Sequence, residues 1–161
     1  MKEKVIKKIE DELKKEKIKI GSFDFNRPWG GFFVIEESST VLFINKYFPE
    51  LEKENISAEK ISPKILFVSP NKKLSWQYHH RRSEIWKLID GEAAIIKSQT
   101  DEETEQELLI KNKIIILAQG ERHRLVGLSE WGIVAEIWKH TNPEMLSDEN
   151  DIIRVSDDFG R

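Results

Sequence analysis

Four side chains set what this sequence can do chemically: Gln77, His79, Glu84 and His123. The first three fall within the stretch Gln77-Tyr78-His79-His80-Arg81-Arg82-Ser83-Glu84. Alternate side chains of a β-strand share a face, so a strand over Leu74–His79 aligns Gln77 with His79. Glu84 opens the next apolar run, and a tight reversal would return it to that face as one arm of a hairpin. A later strand carrying His123 adds a second imidazole. An amide oxygen, two imidazoles and a carboxylate form a donor set for a divalent cation such as zinc, with a position left for water or substrate. Spacing alone leaves a second reading open, a polar strand end facing solvent, and glutamine is an unusual metal ligand.

These side chains need a scaffold, and the pattern of apolar residues supplies one. Residues 1–20 are rich in Lys, Glu, Asp and Ile, with Val5, Ile6, Ile9 and Leu13 three or four apart. That spacing predicts an amphipathic helix packed on the body or on a second subunit. From residue 21 short β-rich runs take over: Gly31–Ile35, Val41–Phe48, Lys64–Val68, Leu74–Tyr78, Glu84–Ile89, Ala93–Lys97, Glu107–Ile110, Ile114–Leu117, His123–Val126 and Ile133–Trp138. Turn residues separate them, and Asp90-Gly91 is the strongest hairpin signal. About ten short strands at regular spacing predict an all-β sandwich or barrel, one domain over 21–161. A helical turn is expected at Ile56–Ile61, a solvated loop at Gln99–Gln106, and an irregular acidic tail after Pro143.

Composition excludes several function classes. There is no cysteine, hence no disulfide, thiolate metal site or cysteine nucleophile. Charged residues make up 34% of the chain, 26 basic against 29 acidic, for a net charge of −3. That balance gathers neither nucleic acid nor anionic membrane. No apolar run approaches the roughly 18–20 residues of a membrane helix, and the lysines at the start lead into no apolar stretch. A cytoplasmic location is expected.

The stretch Leu74–Trp86 resembles the first cupin motif of type II phosphomannose isomerases. Six residues, Ile85–Asp90, separate its Glu84 from Gly91. Gly120-Glu121-Arg122-His123-Arg124-Leu125 resembles the second motif, Arg27-Pro28-Trp29-Gly30 the opening one, and Asp148–Arg161 the closing one. The resemblance runs from about residue 26 to residue 161. It implies a cupin fold, a double-stranded β-helix (jelly-roll barrel); the N-terminal α-helix precedes it and has no counterpart in the resemblance. It also implies that Gln77, His79, Glu84 and His123 are metal ligands, and that the reaction interconverts mannose 6-phosphate and fructose 6-phosphate. Zinc is the first choice of metal, with manganese, cobalt, nickel and iron as alternatives. Four positions depart from the family pattern: Arg81, Ile85, Ala118 and Gly127. They are expected to alter the floor and surroundings of the pocket.

Isomerisation moves a proton between two sugar carbons, which takes an electrophile and a base. The resemblance points to Arg82 as a catalytic arginine, with a rim ion pair as its plainer role. Glu136, on a strand with Val134 and Trp138, and His80 are the candidate bases. For the phosphate, Arg161 and Lys87 are candidates, whereas Arg122 and Arg124 should face away from His123. Trp29, Trp76, Trp86 and Trp138 read as core packing rather than sugar platforms. His140 is expected at the surface. The expected partners are a sugar phosphate and a second copy of the chain. A non-catalytic cupin binding metal and carbohydrate, or one acting on another sugar metabolite, is the alternative.

Overall fold

The computed structural model describes residues 1–54 and 60–161. The N-terminal helix α1 spans Lys2–Lys15, with Glu3 in its first turn and Lys14 and Lys15 in its last, each sign opposing the helix dipole. A second helix α2 spans Thr40–Tyr47. The strands are β1 (Ile20–Arg27), β2 (Gly30–Ile35), β3 (Ile61–Val68), β4 (Trp76–Tyr78), β5 (Arg82–Ser98), β6 (Glu107–Leu108), β7 (Ile114–Leu117), β8 (Arg122–His140) and β9 (Ile153–Ser156). The sheet order is β1-β2-β3-β8-β4-β9, and β5 joins it by pairing with β6, β7 and β8. Every pairing among the described strands is antiparallel. This is the mostly-β barrel that the strand spacing predicts and the jelly roll that the family resemblance implies. No helix among the described residues is long and apolar enough to cross a membrane.

The two longest strands, β5 and β8, pair along almost their whole length and bend together at Leu88–Ala93 against Gly127–Ile133. Asp90-Gly91 is therefore a bulged corner inside one strand, not the turn of a hairpin. Gly91 sits at φ +69°, and a Cβ there would lie 1.8 Å from the Trp131 carbonyl oxygen. Four predicted strands are in fact the halves of β5 and β8, because glycine marks a barrel corner as readily as a turn.

Each side of the sheet serves a different purpose. One face of β2, β3, β5 and β8 carries Phe33, Ile65, Phe67, Ile85, Ala135 and Ile137, all buried under α1 and α2. Ile9 and Leu13 of α1 sit in this same cluster, so the helix stripe is covered by the chain's own body. The predicted strand Val41–Phe48 is helix α2. Its buried residues Thr40, Phe43, Ile44 and Tyr47 follow the helical period, while Val41 and Leu42 remain exposed. The other face points into the barrel, where Phe32, Leu66, Leu88 and Val134 make an apolar floor.

The loop at Gln99–Gln106 is exposed, as expected. Of the turn expected at Ile56–Ile61, residues 56–59 lie outside the described residues, and Ile61 begins β3. The tail is more ordered than its composition suggests, since β9 pairs with β4 beside the histidines.

Candidate metal centre

Strand register builds the site in rows above the apolar floor. Lys64, Glu136 and Trp86 lie side by side across β3, β8 and β5. Trp138 and Glu84 form the next row, with Leu117 of β7. Gln77 of β4 pairs with His123 of β8. Glu84 thus reaches the histidines through β8, and not through a β4–β5 hairpin.

His79, Glu84 and His123 are all buried, and their ligand atoms lie within 4.8 Å of one another. His79 Nδ1 is 2.7 Å from the Asp151 carbonyl oxygen, and His123 Nδ1 is 2.9 Å from that of Glu121. A carbonyl only accepts, so both Nδ1 atoms donate and both Nε2 atoms present lone pairs. The His123 Nε2 faces Glu84 Oε1 at 3.1 Å, and His79 Nε2 faces Glu84 Oε2 at 3.5 Å. Glu84 Oε1 and His123 Nε2 are buried without a hydrogen bond. Arg82 serves the other contact, its Nη2 donating to His79 Nε2 at 3.2 Å and its Nε to Glu84 Oε2, so the open pair is Glu84 Oε1 against a neutral His123 Nε2, two acceptors between which a cation fits. The three residues therefore fit a divalent metal. Gln77 lines the same pocket, with its Oε1 accepting from the Ser75 hydroxyl at 2.6 Å.

Titration acts differently on the two imidazoles. Burial pushes His79 down to about 4, so it is neutral and open to a metal at pH 7. Burial also opposes a charged His123, but the Glu84 carboxylate raises it above its ordinary value. Glu84 is held well below the carboxylate range: burial works against its charge, and His79 and Arg82 outweigh it.

Arg82 is buried and stacks over Trp138 at 3.6 Å. Its Nε donates to Glu84 at 2.9 Å, and its Nη1 to the Ser147 hydroxyl at 2.9 Å. Asp151 ties the tail to the centre. Its carboxylate accepts the backbone N–H groups of His80 and Arg81 and the Ser147 hydroxyl, while its carbonyl orients His79. Nothing in the sequence marks Asp151 beyond its place in the closing motif.

Glu136 faces the pocket, held by the indoles of Trp86 and Trp138 at 2.8 Å each. Burial and the nearby Glu84 charge push its carboxyl up to about 7, against the pull of Lys64 and Arg82. Three tryptophans read as plain packing, Trp29, Trp86 and Trp138, line the pocket, while Trp76 is buried away from it. Lys64 also lines it and pairs with Glu149, a residue that strand alternation alone could have flagged.

Other candidates lie elsewhere. His80 is exposed. Lys87 points to the helix side and binds Glu50 at 2.7 Å. Arg122 and Arg124 lie off the pocket, Arg122 paired with Asp101 and the buried Arg124 with Glu103 and Asp158. Arg161 reaches the barrel mouth, bound to Asp157. His140 is half-buried between Ser62 and Ser147, not at the surface. None of the departures Arg81, Ile85, Ala118 and Gly127 lines the pocket. Ile85 packs under the helices, and Gly127 is required because a Cβ would lie 2.0 Å from the Ser69 carbonyl oxygen.

A family model described as mannose-6-phosphate isomerase C-terminal matches residues 47–157. The chain belongs to this family. The mannose-6-phosphate isomerase C-terminal domain is found here with its metal-type cluster inside the matched span. Among curated proteins, the xanthan biosynthesis protein XanB of Xanthomonas campestris pv. campestris is 26% identical over 135 residues, 84% of this chain and 23% of that protein. A mannose-1-phosphate guanylyltransferase of Salmonella montevideo is 27% identical over 159 residues, 98% of this chain and 27% of that protein. The chain thus spans about a quarter of the length of these relatives. Among solved structures, an oxalate decarboxylase (TM-score 0.55, 12% identity, 80% of this chain and 28% of that one) and hazelnut (Corylus avellana) vicilin (TM-score 0.56, 14% identity, 79% and 34%) share the cupin fold.

Proposed function

We propose that this domain is a metal-dependent aldose–ketose isomerase for a hexose phosphate, of the mannose 6-phosphate to fructose 6-phosphate type. The observation that carries the reading is a buried ligand cluster sharing one pocket with a carboxyl whose pKa is raised to about 7. A divalent ion, zinc first, held by His79, Glu84 and His123 with Gln77 beside them, would supply a Lewis acid for the sugar carbonyl and the enediolate.

The chain's own residues do the rest. Glu136 is poised for proton traffic near neutral pH, where a general base works best. It takes a proton from the hydroxyl-bearing carbon next to the carbonyl and returns it to the former carbonyl carbon, while the hydroxyl proton passes from the one oxygen to the other, so that aldose and ketose balance. The two indoles hold its carboxylate in place and leave each oxygen a second lone pair for the proton. Arg82 brings a fixed positive charge to the same wall, where negative charge develops on the enediolate.

A non-catalytic metal- and carbohydrate-binding role is the second reading. It is favoured by the relatives' names, which describe guanylyl transfer and xanthan synthesis rather than isomerisation. Elemental analysis paired with a mannose 6-phosphate conversion assay, before and after chelation, separates the two. Stoichiometric metal with chelator-sensitive turnover is expected, and His123→Ala should lose both. Stoichiometric metal without turnover favours the binding role. Full activity in His123→Ala overturns the proposal. A homodimer is part of the reading, and a monomeric mass at micromolar concentration counts against it.

A further inference from the structure

A second copy of this chain finds no docking face on α1, whose apolar stripe lies against the chain's own body, with Ile9 and Leu13 in the core. A different surface is left without a partner. Strands β6 and β7 both lie along β5, β6 against Ala94 and Ile95 and β7 against Glu84–Lys87. Among the described residues neither pairs with any other strand, so Glu107–Leu117 runs along the border of the sheet. Three large apolar side chains stand exposed on this border, Leu108 at 70%, Ile110 at 61% and Ile116 at 64%. An open border of this kind invites a further strand.

The backbone there is already set for one. The Leu109 N–H donates to the Ala93 carbonyl at 2.9 Å, so Leu109 turns its peptide groups toward β5 and its side chain into the barrel. Backbone direction alternates along a strand, so the N–H and C=O groups of Leu108 and Ile110 point away from β5. A turn then ends the extended segment. It is closed by the Lys113 N–H on the Ile110 carbonyl at 3.0 Å, with Asn112 at φ +66°.

The charges around this segment form a palindrome. Glu105-Gln106-Glu107 precedes Leu108-Leu109-Ile110, and Lys111-Asn112-Lys113 follows. Among the described residues Glu105, Glu107 and Lys113 have no ion-pair partner, and Lys111 has only Asp90, 3.9 Å away and already bound to Lys8. One sign of charge at both ends would keep two copies apart. Two signs mirrored about Leu109 do the opposite, because reversing the segment on itself sets each glutamate opposite a lysine.

We propose that two copies of this chain pair through this border, antiparallel about a two-fold axis at Leu109. Leu108 of each copy then stands opposite Ile110 of the other, and Glu107 opposite Lys111, with Glu105 and Lys113 next in line. The outward peptide groups of Leu108 and Ile110 exchange the hydrogen bonds of a ladder, and four apolar side chains that are exposed in the single copy cover one another. A two-fold contact closes on itself, so association stops at the dimer. The interface specifies the homodimer proposed above and rests on that reading, but not on the isomerase chemistry.

Sedimentation velocity of the full chain, from nanomolar to micromolar concentration, tests this with charge swaps on exposed residues. Glu105→Lys with Glu107→Lys makes the segment wholly basic, and Lys111→Glu with Lys113→Glu makes it wholly acidic. Each double variant should melt at the wild-type temperature and dimerise about tenfold more weakly, or worse. An equimolar mixture of the two should recover the wild-type mass as a mixed dimer, and all four swaps in one chain should restore the homodimer. Val41→Ser, on the exposed side of α2, should change nothing. Wild-type dimerisation in both double variants overturns this interface and leaves the homodimer standing. Folded variants that stay monomeric when mixed overturn it as well. A wild-type chain that is monomeric at micromolar concentration overturns both interface and homodimer, and mannose 6-phosphate turnover by that monomer would leave the isomerase reading in place.

Discussion

The two faces of strand β8 make opposite uses of adjacent residues. Ile133, Ala135 and Ile137 are buried under α1 and α2 among aliphatic and phenyl groups. Val134, Glu136 and Trp138 point into the barrel, where the carboxyl of Glu136 is as deeply buried but surrounded by indoles and charges. Strand β5 repeats the division, with Ile85 outward and Glu84 and Trp86 inward. Burial is nearly equal on the two sides, so burial does not separate stability from chemistry. What separates them is whether each buried polar atom finds a partner. On the helix-covered face of β5 the buried Lys87 ammonium is bound by Glu50, whereas on the barrel face Glu84 Oε1 and His123 Nε2 are left facing each other without a hydrogen bond.

This contrast can be broken residue by residue. The largest effect should come from Ile137→Glu, which places an unpaired carboxylate under the helices. It should remove about 3–5 kcal/mol or more, read as loss of the folding transition in a thermal melt. Its neighbour Glu136→Gln should melt at the wild-type temperature or above while abolishing turnover; a large drop in its melting temperature would make Glu136 a structural residue. Phe43→Ala, on the helix side, should cost about 3–5 kcal/mol and leave metal per folded molecule unchanged.

Asp151→Asn should act on both properties at once. Losing its charge weakens the grip on the His80 and Arg81 amides, at about 1–3 kcal/mol. His79 would then be less firmly oriented, and metal affinity should fall about tenfold, measurable by chelator competition. An unchanged affinity would mean that the tail does not support the centre.

The smallest effect is a pH dependence. The Glu136 carboxyl has its pKa raised to about 7, above the ordinary 4.5. Its contribution to stability is therefore complete below about 4.5 and lost as pH rises through about 7. Urea unfolding of the metal-free protein at pH 5 and pH 8 should show wild type losing stability relative to Glu136→Gln. Equal losses in both would place the titration on another group.

Much of this arrangement is legible in the sequence because alternation and motif order carry it. Gln77 and His79 share a strand face, and the wide placement of Glu84 and His123 fits a barrel. The corners are what alternation cannot follow. In β8 the inward residues are His123 and Leu125 before the bend, and Val134, Glu136 and Trp138 after it, so the parity changes within one strand. The same happens in β5, where Glu84 and Trp86 face inward before Gly91, and Ala93 and Ile95 after it. A register that shifts at a bulge is set by tertiary packing, and local pattern does not reveal it. Helix α2 was hidden for a different reason: Val41–Phe48 is rich in β-branched and aromatic residues, and only contact with α1 and β3 makes the helical period the winning one. Asp151 stayed out of view because an acidic tail reads as solvated until β9 is seen beside β4.

That strand has a consequence for how the protein is made. Residues 77–84 leave the ribosome well before residues 123–156, yet among the described residues β4 pairs only with β8 and β9. The early ligands therefore have no sheet to belong to until the later segments arrive. Pairings so distant in sequence form late, after local helices such as α1. A metal held by His79, Glu84 and His123 together would be taken up only once these segments have met. The choice of ion at such a site would then fall to the metals around the closed barrel rather than to those met by the growing chain.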